Sequence, residues 1–280
     1  MVSQIHQKMP EDQNGKQNQH EIQLQNALGK IKNKILVMSG KGGVGKSSVA
    51  ANLSVLLADK GYKVGLMDVD VHGPSIAKIM GIKGLLEIDP EKQMAKPAEY
   101  GKNLKIVSMQ SFMREADQAV IWRGPAKSGM IQQFITTVNW GELDFLIMDA
   151  PPGTGDEPLT IIQTVKDVKA VVVTTPQDVA LADVRKSINF CKTVDMNILG
   201  LIENMGPFKC PHCDGEIAVF KKGGGKQTAM DMNIRFLGSL PYDFEVVHSG
   251  DSGNPVITKD KTNHYTRALE AAANEILANI

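Results

Sequence analysis

The chain has 280 residues, 42% hydrophobic and 22% charged, enough to bury the full core of one α/β domain of generous size. Lys+Arg and Asp+Glu both number 31, so the formal net charge is zero, with no basic excess for nucleic acid and no polybasic stretch for a membrane surface. Three cysteines, no apolar run of the roughly 18 residues that span a bilayer and no apolar N-terminal signal point to a reducing cytoplasm rather than a disulfide framework.

Residues 1–33 are rich in Gln, Asn and Lys and hold no aromatic residue, which predicts a disordered tail. Within it, 21–31 can form a short helix with Ile22, Leu28 and Ile31 along one side. Residues 34–280 then read as one domain. Short, continuous apolar runs at 35–38, 64–68, 104–107, 145–149, 170–174, 198–204 and 236–240 read as strands covered on both faces. The stretches between them are long enough for helical crossovers. The fold class is therefore α/β, a doubly wound, mostly parallel sheet with ligand sites at the carboxyl ends of its strands. Residues 266–280 close the chain as a helix, with Leu269, Ala272, Ala273, Ile276 and Leu277 on one side.

Between the first apolar run and a helix-forming run at 48–58 stands Gly40-Lys41-Gly42-Gly43-Val44-Gly45-Lys46-Ser47, a match to the phosphate-loop pattern G-x-x-x-x-G-K-S/T. Glycines let successive N–H groups converge on phosphate oxygens at a helix N-terminus. Lys46 then reaches the β- and γ-phosphates, Ser47 ligates Mg²⁺, and Ser48 completes the cradle. Lys41 is superfluous in an ordinary phosphate loop. It makes the motif resemble the deviant Walker A (SIMIBI) class of P-loop NTPases, whose extra lysine contacts nucleotide across a dimer interface. That resemblance implies an ATPase working as a sandwich of two subunits.

The second strand ends in Asp68-Val69-Asp70. Carboxylates there can hold Mg²⁺ or orient the attacking water. In the deviant class the second aspartate, here Asp70, orients the water. Asp68 supports the loop and metal shell, or else is a solvated strand-end carboxylate. The run 145–149 ends in Asp149, a Walker B arrangement near Mg²⁺. Pro151-Pro152-Gly153-Thr154-Gly155 follows as a switch loop, with the Gly153 N–H available to the γ-phosphate. Two later loops, around Asn204 and around Pro241, are expected to border adenine, mainly by resemblance. On the residues alone, Asn204 reads equally well as a turn residue.

Cys210-Pro211-His212-Cys213 places two thiols two residues apart, in an insertion near 208–226. Zinc takes four tetrahedral ligands and an iron–sulfur cluster four thiolates. Cys191 lies in a helix-like run and reads as a buried small hydrophobe. The missing ligands come from a second subunit or from small thiols. A redox dithiol and a zinc half-site closed by dimerisation are the other readings. Gly223-Gly224-Gly225 reads as a flexible turn.

Together these residues resemble the Mrp/NBP35 family of iron–sulfur cluster carrier ATPases, within the class that contains MinD and nitrogenase iron protein. The resemblance runs from about 34 to 257. It rests on SGKGGVGKSS (39–48), DVDVHGPS (68–75), WRGPAKSGMIQQF (122–134), DFLIMDAPPGTGDEPLT (144–160), ENMGPFKCPHC (203–213) and SGDSGNPV (249–256). It implies a homodimer with a bridging 4Fe–4S cluster on Cys210 and Cys213 of each chain, hydrolysis of ATP with Mg²⁺, and delivery of the cluster to apo-proteins. Its implied partners are client and scaffold proteins, with neither nucleic acid nor membrane. The competing reading is a MinD-like regulatory or partitioning ATPase with a structural zinc clasp. The residue after the second cysteine is often Gly in this family, and here it is Asp214.

Overall fold

The computed structural model of the chain describes residues 11–70, 73, 75–91, 93–112, 124–210 and 212–280. Its strands are β1 (Ile31–Ser39), β2 (Val64–Asp68), β3 (Ile88–Asp89), β4 (Met94–Ala95), β5 (Ala98–Tyr100), β6 (Leu104–Ser108), β7 (Leu143–Asp149), β8 (Val168–Thr174), β9 (Asn197–Gly206), β10 (Phe208–Lys209), β11 (Glu216–Ile217) and β12 (Phe236–Pro241). Its helices are α1 (Glu11–Gly29), α2 (Lys46–Asp59), α3 (Ile76–Ile79), α4 (Gly124–Thr137), α5 (Asp156–Thr164), α6 (Asp178–Thr193), α7 (Gly224–Asp231), α8 (Phe244–Asp251), α9 (Val256–Lys259) and α10 (His264–Leu277).

Eight strands form one sheet in the order β12-β9-β8-β1-β7-β2-β6-β5. Its neighbours are parallel except at the β5–β6 edge. β1 lies between β7 and β8, where the strand order reverses. This is the position at which open α/β sheets bind ligands. The pleat sorts the apolar runs onto two faces. Ile35 and Val37 of β1 and Phe145 and Ile147 of β7 join one core with Leu53 and Leu57 of α2 and Leu269 and Ile276 of α10. Leu36 and Met38, with Leu146 and Met148, join the other with Phe134 of α4 and Val184 and Ile188 of α6. Cys191 is buried in that second core, and burial pushes its thiol up to about 12.

The expected disordered tail is structured over its described part. Leu24 and Leu28, one turn apart on α1, are each 8% exposed and join the α4-side core, while Ile22 is 53% exposed. β1 begins at Ile31, so the first strand starts before residue 34. The helix expected over 21–31 is therefore present as part of α1 up to Gly29, with Leu24 rather than Ile22 beside Leu28 on the buried side. Gly223 to Gly225 also differ from expectation. Gly223 is left-handed at φ 77 and α7 begins at Gly224, so the run is a helix start rather than a free turn.

Candidate functional site

β1, β2 and β7 run parallel and end at one edge, which gathers the phosphate loop and the acidic strand ends. Gly43 and Gly45 take left-handed φ values of 80° and 81°, where an L side chain is strained. Gly40 lies against α6, where a Cβ would stand 2.3 Å from the Asp183 carbonyl carbon. Lys46 opens α2 and turns its ammonium inward. Lys46 Nζ donates to Asp149 Oδ1 at 2.5 Å and to Ser47 Oγ at 3.2 Å. Both members of this ion pair are buried. Asp149 Oδ2 is buried and has no hydrogen-bond partner among the described residues. Lys41 is half-buried and has no ion-pair partner among the described residues.

Asp68 is the cross-strand neighbour of Asp149. It is fully buried, which rules out the solvated reading. It accepts from the N–H of Asp70 at 3.1 Å, the N–H of Ile76 at 3.2 Å and the hydroxyl of Ser108 at 3.0 Å. Burial first, and then the Asp149 charge, push Asp68 up to about 8. Burial also pushes Asp149 up, against the opposing pull of Lys46. Asp70 is 9% exposed and accepts from the Gly73 N–H at 3.2 Å. Residues 71, 72 and 74 of that motif, and Trp122 and Arg123, lie outside the described residues.

The Gly153 N–H is already engaged: it donates to Ser39 O at 2.8 Å. Asn204 is a β9 residue rather than a loop residue, and its Nδ2 donates to Val44 O at 2.9 Å. Asn204 thus braces the phosphate loop. With Gly45, Ser48, Met205, Pro241 and Tyr265 it also lines a cavity of ≈ 300 Å³. Sequence reasoning passed over Glu203. This buried carboxylate accepts from the Gly225 N–H at 2.7 Å and the Ser239 hydroxyl at 2.9 Å, so it pins the start of α7 to β9. The available signal was an acid inside an apolar strand, the same one that marked Asp149.

Cys210 and Cys213 lie on the turn of the β10–β11 hairpin. The Cys210 N–H donates to Gly215 O at 2.8 Å, and the Asp214 N–H to Cys210 O at 3.0 Å. The N–H groups of His212 and Cys213, then the Cys213 thiol, hold the Cys210 thiol below its usual range. Backbone donors aimed at sulfur favour thiolate. Asp214 sits at φ 56, which explains a preference for Gly there. Aspartate is among the few L residues that tolerate this region, and Asp214 is exposed to water. Among the described residues no group of three or more His, Cys, Asp or Glu gathers for a metal ion. The hairpin thus offers two thiols.

The family model described as ParA: NUBPL iron-transfer P-loop NTPase matches residues 30–277. The chain belongs to this family. One relative is the Iron-sulfur cluster carrier protein of Methanococcus maripaludis, 44% identical over 243 residues, 86% of this chain and 84% of that protein. Cytosolic Fe-S cluster assembly factor CFD1 of Kluyveromyces lactis is 47% identical over 223 residues, 78% of this chain and 79% of that protein. The solved structure of the nucleotide-binding protein from Archaeoglobus fulgidus in complex with ADP matches with TM-score 0.75 and 36% identity, covering 88% of this chain and 95% of that one. The resemblance read from the motifs and the doubly wound α/β fold both hold for this P-loop NTPase. No helix among its described residues is long and apolar enough to cross a membrane.

Proposed function

We propose that the chain binds and hydrolyses ATP and carries a 4Fe–4S cluster, held between two copies by Cys210 and Cys213 of each, for delivery to apo-proteins in the cytoplasm. The observation that carries this reading is the hairpin turn with two accessible thiols, one of them held toward thiolate. A cluster takes four thiolates, so two copies complete one site. The relatives named as cluster carriers and assembly factors support the same reading. Clients and scaffold proteins are the partners it requires.

Residues 40–48 cradle the phosphates with their N–H groups at the start of α2. Lys46 exchanges Asp149 for phosphate oxygens, and Lys41 reaches the nucleotide across the dimer. Asp70 orients the attacking water. Asn204 and Pro241 border the base. Mg²⁺ fits beside Ser47 and Asp149, because Asp149 Oδ2 is buried and unpartnered among the described residues and an oxygen-seeking cation satisfies it. When bound, that cation neutralises phosphate charge. The Gly153 N–H exchanges Ser39 O for the γ-phosphate, so this loop differs between ATP and ADP states. Hydrolysis then alters the spacing of the two cysteine pairs. A cluster is stable on four well-spaced thiolates and transferable when they part.

Anaerobic reconstitution with iron and sulfide tests the cluster assignment. The expected result is about four irons for every two chains, with visible absorption that Cys210→Ala/Cys213→Ala abolishes. Tight zinc without an iron chromophore would replace this reading with the zinc-clasped regulatory ATPase.

A further inference from the structure

The nucleotide cavity and the groove beneath the cysteine hairpin share a wall. Pro241, Tyr242 and Asp243 line both. Phe208, two residues before Cys210, lines only the groove. Three rings meet across this wall. The Phe208 and Tyr242 centroids lie 5.8 Å apart, those of Phe208 and Phe244 6.2 Å, and those of Tyr242 and Phe244 5.1 Å. Two of the contacts are edge-on at 89°, the arrangement aromatic pairs favour.

The wall is anchored on its other sides. The Tyr242 N–H donates to Gly206 O at 2.9 Å, where β9 ends and the hairpin begins. Asp243 caps α8 by accepting from the Glu245 N–H at 2.8 Å, and accepts from Asn263 Nδ2 at 3.2 Å. Phe244 is 59% exposed, so the ring cluster is held by its mutual contacts rather than by depth. A nucleotide that shifts Tyr242 therefore meets Phe208 directly.

We propose that Phe208 is a positioning residue that reads, through Tyr242, whether the nucleotide cavity is filled, and sets the attitude of the hairpin bearing Cys210 and Cys213. The inference rests on the reading that ATP occupies that cavity. It adds a route from the base end of the nucleotide to the cysteines, separate from the switch loop at Gly153. An aromatic pair of this kind supports a coupling factor of between about two- and tenfold.

The test uses the full-length, reduced, metal-free protein. Alkylation rates of Cys210 and Cys213 by iodoacetamide are read by mass spectrometry with and without saturating Mg-ADP, and ADP affinity is measured by calorimetry. Buried Cys191 stays unmodified while the protein remains folded. In the wild type, ADP is expected to change the rates by about two- to tenfold. Phe208→Ala should bind ADP as the wild type does yet alkylate at one rate in both states, and Phe208→Tyr should restore the response. A Phe208→Ala protein that keeps the wild-type response would overturn the inference, since a ring that only packs the hairpin would shift both rates together. Wild-type rates indifferent to bound ADP would overturn it too. Wild type that binds no ADP would overturn the ATP reading itself, and this inference with it.

Discussion

Asn204 Nδ2 donates to the Val44 carbonyl at 2.9 Å, so a strand residue 160 positions away fixes the backbone of the phosphate loop. The same nitrogen stands 2.2 Å from where a Cβ on residue 45 would lie. Gly45→Ala therefore meets two penalties, a left-handed φ of 81° and a clash with the brace. Its ADP affinity should fall by at least about tenfold. Gly129→Ala on α4 is the control, because its Cβ would find nothing within 4 Å and it lies outside the phosphate loop. Calorimetric titration with Mg-ADP compares them, and equal affinities would remove Asn204 as the brace.

Lys46→Ala strands Asp149 in a dry site. The loss should be about 3 kcal/mol of stability at neutral pH without nucleotide. The pH dependence has a definite sign. Burial holds Asp149 above its usual range and Lys46 pulls it back, so removing Lys46 raises it further. The folded variant then takes up a proton. Its stability relative to wild type is best at acid pH and falls as pH rises through the Asp149 range. Urea titrations at several pH values check this.

Lys41→Ala should leave stability unchanged, because Lys41 makes no ion pair among the described residues. Its ATP turnover should nonetheless be lost. A variant that hydrolyses ATP at the wild-type rate would remove Lys41 from the catalytic set.

The N-terminal helix gives a prediction free of function. Leu28→Ala should cost about 2–3 kcal/mol, since Leu28 is 8% exposed in the α4-side core. Ile22→Ala, at 53% exposure, should change stability by less than about 0.5 kcal/mol. Equal losses would mean that α1 does not pack as described.

The strands that carry the site were legible because burial on both faces leaves no polar alternation, so 145–149 and 170–174 read as unbroken apolar runs. Asp149 was legible for the same reason: a lone acid ends such a run. The β5 edge and the two short hairpins were not, since two or three residues carry no period. The strand read over 198–204 was ended at Asn204 two residues early, because β9 continues past its apolar stretch to Gly206, held there by β12. α1 was legible only over 21–29, because the residues before Glu21 are polar and carry no apolar period. Side-chain partnerships across long separations, such as Asn204 with Val44 or Phe208 with Tyr242, leave no local pattern at all.

Under the proposed function, the nucleotide site governs the cluster carried on Cys210 and Cys213. The most direct test is the rate of cluster transfer from the anaerobically reconstituted protein to an apo 4Fe–4S acceptor enzyme, with and without Mg-ATP, for wild type and Lys41→Ala. Mg-ATP should change the wild-type rate, while Lys41→Ala, equally loaded with iron, should show no response. Equal rates for both proteins under both conditions would contradict that reading.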